Sequence, residues 1–137
     1  MNDVKRSQRR PVGQGGFTLI ELLIVVAVIS IVAGLAVPLY ANEEARARIA
    51  KAQADTRTLA CAVSLYAAHM GTLPVSLALL STAAVNGRNE TAGPFMAWIP
   101  APPPEGSPAW GTYTYTWSTA GTFSITASGD GTTITVP

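Results

Sequence analysis

The sequence is short of the side chains that most chemistry requires. It holds one cysteine, Cys61, and one histidine, His69. A lone cysteine excludes an intrachain disulfide. With no second cysteine and no histidine close by, Cys61 reads as a small buried hydrophobe on a helix. His69 lies about two helical turns further on, too far for direct contact along one helix, and reads as a helix-surface residue. Charged residues make up only 12% of the chain and the net charge is +1, which makes no case for nucleic-acid binding. Beyond Gly71 the acids are Glu90, Glu105 and Asp130 alone. The sequence spells out no metal-ligand cluster, nucleophile elbow or phosphate loop, so it is not expected to be an enzyme.

What the chain does have is one long apolar run. From Phe17 to Tyr40 almost every side chain is apolar. As a helix this run reaches roughly 36 Å, enough to cross a hydrocarbon core about 30 Å thick. Inside it sits one carboxylate, Glu21, whose charge is costly in such surroundings and marks function. Before it come Gly15 and Gly16, preceded by Lys5, Arg6, Arg9 and Arg10 with a single acid, Asp3. The far flank carries Glu43, Glu44, Arg46, Arg48 and Lys51, nearly balanced in sign. The positive-inside rule therefore keeps the N-terminus cytoplasmic and sends the rest of the chain to the other side, which in a Gram-negative cell is the periplasm.

The order basic leader, Gly16, then Phe17-Thr18-Leu19-Ile20-Glu21-Leu22 at the head of a membrane helix, with Pro38 near its end, resembles the N-terminus of type IV pilins and type II secretion pseudopilins. A secretory signal peptide has its small-residue site after the apolar core; here the site precedes the core, so the resemblance implies that the helix stays in the product. It implies cleavage by a prepilin peptidase between Gly16 and Phe17, N-methylation of the new Phe17 amine, and filament assembly in which the Glu21 carboxylate pairs with the Phe17 ammonium of a neighbouring copy. Pro38 reads either as a tolerated membrane proline or as a flexible point that lets subunits pack, with a kink or melted turn expected around Gly34 to Pro38.

From Tyr40 to about Met70 the helical pattern continues. Ile49, Ala52, Thr56, Leu59, Val63, Tyr66 and Met70 recur at alternating spacings of three and four, a stripe along one face. Its expected partner is the chain's own sheet. The charge run Glu43 to Arg48 reads as a solvated face, with Glu44 and Arg48 paired four apart. Gly71 caps the helix. The order Asp55-Thr56-Arg57-Thr58-Leu59-Ala60, Leu65-Tyr66, Gly71-Thr72-Leu73-Pro74, Gly93-Pro94-Phe95-Met96 and Ile99-Pro100 resembles the major, G-type pseudopilin of type II secretion. The missing disulfide leans the same way, because many type IV pilins carry one near the C-terminus.

Between Leu73 and Pro108 the chain reads as irregular, with a short helix over Leu77 to Ala84. Ala101 to Pro108 is an exposed, extended, proline-rich connector. Period-two alternation over Thr112 to Trp117, around Phe123, Ile125 and Ala127, and at Ile134 and Val136 predicts a three-stranded antiparallel meander with turns at Ser118–Gly121 and Ser128–Gly131. Its aromatic ladder reads as core. The G-type resemblance implies a calcium ion in a C-terminal loop. Calcium wants six to eight oxygens; Asp130 is the one weak candidate ligand and reads more simply as a turn residue.

The expected architecture is α+β: a long N-terminal transmembrane helix continuing into a soluble domain and packed against a small C-terminal antiparallel sheet. The expected divisions are 1–16 leader, 17–40 transmembrane and polymerisation segment, 41–71 soluble half of the helix, 72–111 loops and 112–137 meander. The expected function is that of a structural subunit of a periplasmic pseudopilus in type II secretion. Its expected partners are further copies of itself, a prepilin peptidase, minor pseudopilins, the inner-membrane platform and the membrane, with no nucleic acid. The alternative is a type IV pilin or competence pseudopilin of a surface filament.

Overall fold

The computed structural model describes residues 16–137. Apart from Gly16, the expected leader lies outside the described residues. The order is α1 (Leu19–Met70), a 3-10 helix (Leu77–Ser81), β1 (Ala84–Val85), β2 (Thr91–Ala92), β3 (Thr114–Trp117), β4 (Phe123–Gly129) and β5 (Thr132–Val136). The chain is thus α+β, a long apolar N-terminal helix followed by small antiparallel sheets. The chain divides into two compact units, with the boundary in sequence between Leu39 and Tyr40.

In the first unit, the described side chains from Leu19 to Leu39 are all exposed. No stripe separates a wet face from a dry one, as expected of a helix whose surroundings are apolar on every side. The segment meets the length and hydropathy demanded of a membrane-crossing helix, with mean hydropathy 2.9. α1 continues through Gly34 and Pro38 without interruption, so the melted turn expected there is absent. A proline costs the ladder one N–H, and the flanking turns hold the helix across that gap.

In the second unit, Tyr40–Pro137, the same helix becomes one-sided. Ala52, Thr56, Leu59, Val63 and Tyr66 are buried, and Ile49 and Met70 are partly buried. The spacing of three and four puts these side chains on one face, and each large aliphatic among them gains about 1.5–3 kcal/mol on burial. The buried Thr56 hydroxyl donates back to the Ala52 carbonyl at 2.9 Å, which satisfies it locally. Cys61 is exposed, contrary to the expectation of burial, because two residues from Leu59 is about 200° around the helix. Gly71, at φ +76, ends the helix as expected, its N–H bonded to the Ala67 carbonyl at 2.8 Å.

Leu59, Val63 and Tyr66 close on Leu80 from the 3-10 helix and Ile125 from β4, with Phe95, Tyr113, Tyr115 and Phe123 around them. Tyr66 and Phe95 meet edge to face at 5.4 Å, a favoured aromatic geometry. The expected helix after Leu77 is shorter than predicted, ending at Ser81 before β1 begins. β1 and β2 form a two-stranded ribbon that the sequence did not announce.

β3, β4 and β5 form an antiparallel meander in that order. Tyr115 faces Ile125, and Ala127 faces Ile134. Between β4 and β5 the two loop residues, Asp130 and Gly131, both have positive φ, +47 and +69. That is the Asp-Gly hairpin turn whose twist suits the strands. The proline-rich connector Ala101 to Pro108 is mostly exposed, as expected, with Pro103 alone buried in it. Lys51 Nζ holds the Ala101 carbonyl at 2.7 Å, and Trp110, just past the connector, is buried.

Candidate functional site

The first site is the head of α1. Gly16, Phe17 and Thr18 precede the helix in non-helical backbone, and the Phe17 side chain is exposed. Thr18 occupies the capping position. Its Oγ1 accepts the Glu21 N–H at 3.3 Å, and its own N–H and hydroxyl donate to Glu21 Oε2 at 3.1 and 2.9 Å. This reciprocal pair is a capping box, which satisfies backbone donors that a helix start leaves orphaned. It fixes where the helix begins, two residues past the Gly16–Phe17 bond. Glu21 is thereby oriented towards the chain's own N-terminal end. The Thr-x-x-Glu spacing of Thr18 and Glu21 was the signal for this contact in the sequence, and the reading of Glu21 as a buried charge passed over it. Pro38 stands seventeen residues past Glu21 on α1, about 25 Å along it, and takes no part in this cluster.

The second site surrounds Asp130. Arg48 donates to its carboxylate from Nε at 2.7 Å and from Nη2 at 3.1 Å. The Ser107 N–H donates at 2.9 Å and Trp110 Nε1 at 2.9 Å. The Asp130 N–H donates in turn to the Pro108 carbonyl at 2.8 Å. Arg48 beside it, then the Ser107 and Trp110 donors, hold the Asp130 carboxyl well below the usual carboxylate range, and Asp130 raises the Arg48 guanidinium. Arg48 is thus not on a solvated face as expected. Its contact with Glu44 is the looser one, at 3.9 Å. Asp130 is a turn residue, as read, and also the centre of this cluster.

As a calcium ligand Asp130 does not fit. Its oxygens are taken up by N–H donors, one of them a cation, and among the described residues no three His, Cys, Asp or Glu side chains gather to hold a metal. A neighbouring network ties the connector and β3 region to the same helix. Asp55 bonds Lys51 and accepts the Tyr113 hydroxyl at 2.6 Å. Burial, and then the Asp55 carboxylate, push the Tyr113 hydroxyl above its ordinary range.

Comparison with known proteins bears on the first site. The family model described as the prokaryotic N-terminal methylation motif matches residues 12–37. The type IV major fimbrial protein FimA of Dichelobacter nodosus is 46% identical over 50 residues, 36% of this chain and 32% of that protein. The type IV major pilin protein PilE of Neisseria gonorrhoeae is 36% identical over 78 residues, 55% of this chain and 47% of the relative. The type II secretion system core protein G of Pseudomonas aeruginosa is 39% identical over 59 residues, 43% of this chain and 40% of the relative. The chain spans about a third to a half of the length of the curated relatives it matches. No solved structure matches it. These relatives are named for pili, fimbriae and a secretion system rather than for enzymes. With the methylation motif at its N-terminus and relatives of these kinds, the N-terminal part of the chain is similar to that of type IV pilins and of a type II secretion core protein.

Proposed function

We propose that this chain is a structural subunit of a periplasmic pseudopilus in type II protein secretion. The observation that carries the filament reading is the helix head. A helix whose first twenty-one residues, Leu19 to Leu39, are apolar but for Glu21 and Ser30 starts two residues after a Gly16–Phe17 bond and bears its one carboxylate there at the first turn. In this reading a prepilin peptidase removes residues 1–16 and the Phe17 amine is N-methylated. Residues 17–40 anchor the chain in the inner membrane with the N-terminus cytoplasmic, and residues 41–137 face the periplasm. The soluble half of the helix covers 41–71, the loops 72–111 and the meander 112–137. Glu21 of one copy pairs with the Phe17 ammonium of the next, since each charge would otherwise lie unpaired in hydrocarbon. The capping box means that Glu21 exchanges partners on assembly, giving up Thr18 for the neighbour's amine. Pro38 serves as the adjustable point of the packed helices. Minor pseudopilins and an inner-membrane platform are the further partners.

The single cysteine and the relation to core protein G support the secretion reading. The relation to the major pilin and fimbrial proteins supports the alternative, a surface pilus subunit for adhesion, motility or DNA uptake. Deleting the gene separates the two. Lost secretion of exoproteins with unchanged surface pili is expected; lost pili with normal secretion would replace the first reading by the second.

A further inference from the structure

A carboxylate removed from water needs a counter-charge, supplied either by a solution cation or by the chain itself. The Asp130 side chain is only 6% exposed. Ionised, it offers about four lone-pair sites. Oδ1 receives Arg48 Nη2 and the Ser107 N–H; Oδ2 receives Arg48 Nε and Trp110 Nε1. Two donors on each oxygen leave no lone pair turned towards a metal. The Arg48 guanidinium binds side-on through two of its nitrogens, the planar fork that fits a carboxylate best. Three pieces of chain distant in sequence converge here: α1 through Arg48, the end of the connector and the residues just after it through Ser107 and Trp110, and the β4–β5 turn through Asp130 itself.

The packing enforces the arrangement. Trp110 lies against Gly129, where a Cβ would collide with the indole ring. The same ring, buried, packs with Ala52 and Ala127. The indole is held by apolar contact on its faces and by Asp130 at its nitrogen, so it cannot swing aside to admit a hydrated ion.

We propose that Arg48 is the built-in cation of the C-terminal loop: it stands where a divalent ion would have to bind, so the loop is locked to α1 by the chain's own guanidinium and its fold is indifferent to calcium. This inference is independent of the filament role. The loop then folds only when α1 is folded beneath it, and chelators leave it intact.

The experiment uses the full chain in detergent micelles. Thermal unfolding is followed by near-ultraviolet circular dichroism in chelator and in millimolar calcium chloride, while exchange of the Trp110 indole proton is followed by NMR. The expected result is one melting temperature in both buffers and a Trp110 proton protected in both. A rise of several degrees with calcium would overturn the proposal, and this arm needs no variant. In chelator, Arg48→Gln and Asp130→Asn should each speed Trp110 exchange at least tenfold, and the double variant should lose little more than either single one. Strictly additive losses, or exchange unchanged in Arg48→Gln, would show that the pair does not act as the lock.

Discussion

The two halves of α1 are one helix written for two surroundings. From Leu19 to Leu39 apolar side chains point in every direction and none of the described ones is buried. From Ile49 to Met70 they keep to one stripe, and the stripe is buried. Propensity differs between the halves, with β-branched residues crowding the first and alanine the second, but the angular distribution of apolar groups is what decides what each can pack against. A helix apolar all round is suited to lipid or to other helices, and a striped one to a single folded partner. The contrast also separates the kinds of polar group each half carries. In the first, Glu21 is answered by its own capping residue three positions away. In the second, Arg48, Lys51 and Asp55 reach side chains or carbonyls 50 or more positions distant.

That contrast can be broken experimentally. The largest effect is expected at the head of the helix. Glu21→Ala should abolish incorporation into filaments while leader removal continues, read by shearing yield and by mass spectrometry of the mature chain. Normal assembly of the variant would undo the assigned role of Glu21. A mature chain beginning anywhere but Phe17 would likewise undo the cleavage site.

Next comes a matched pair of truncations. Leu59→Ala removes a fully buried side chain and should cost about 2–5 kcal/mol of stability, seen as a lower melting temperature in micelles. Leu22→Ala removes an exposed one and should leave the melting temperature unchanged. Equal effects would erase the distinction between the halves.

Acid and base should act on the two networks of the second unit. The Asp130 carboxyl is held low by Arg48, so its contribution is complete above about pH 4 and is lost as the pH falls further. The Tyr113 hydroxyl is held high by burial and Asp55, so its contribution is complete below about pH 10 and is lost on further rise. Thermal melts across pH should therefore fall off at both ends. Asp130→Asn should remove the part of the acid fall that Asp130 causes, and Tyr113→Phe the corresponding part of the alkaline one.

The smallest effect belongs to the surface pair of Glu43 and Arg46, whose side chains are 57% and 75% exposed. Pairs so placed are worth little, and Glu43→Ala should shift the melting temperature by no more than the scatter between replicates.

Legibility followed sequence distance. The buried stripe could be read because its members lie three and four apart. The meander could be read because Tyr113, Tyr115, Phe123, Ile125 and Ala127 alternate with hydroxyl residues and the turns carry Gly121 and Gly131. Thr18 and Glu21 stand at capping-box spacing and were readable in principle. Arg48 was not: a plausible local partner, Glu44, lies one turn away, whereas the partner it binds closely is 82 positions on. Local pairing rules rank contacts by separation along the chain, and the fold ranks them by burial. β1 and β2, two residues each, are too short for any period to register.

Gly129 has a consequence for how such a chain can change over time. Since Trp110 fills the space a methyl group would need there, residue 129 cannot enlarge while the indole stays. A smaller side chain at 110 would have to come first, and it would strip Asp130 of one donor on the way. Any lineage passing through this pair is therefore held to one order of steps, with its least stable member in the middle.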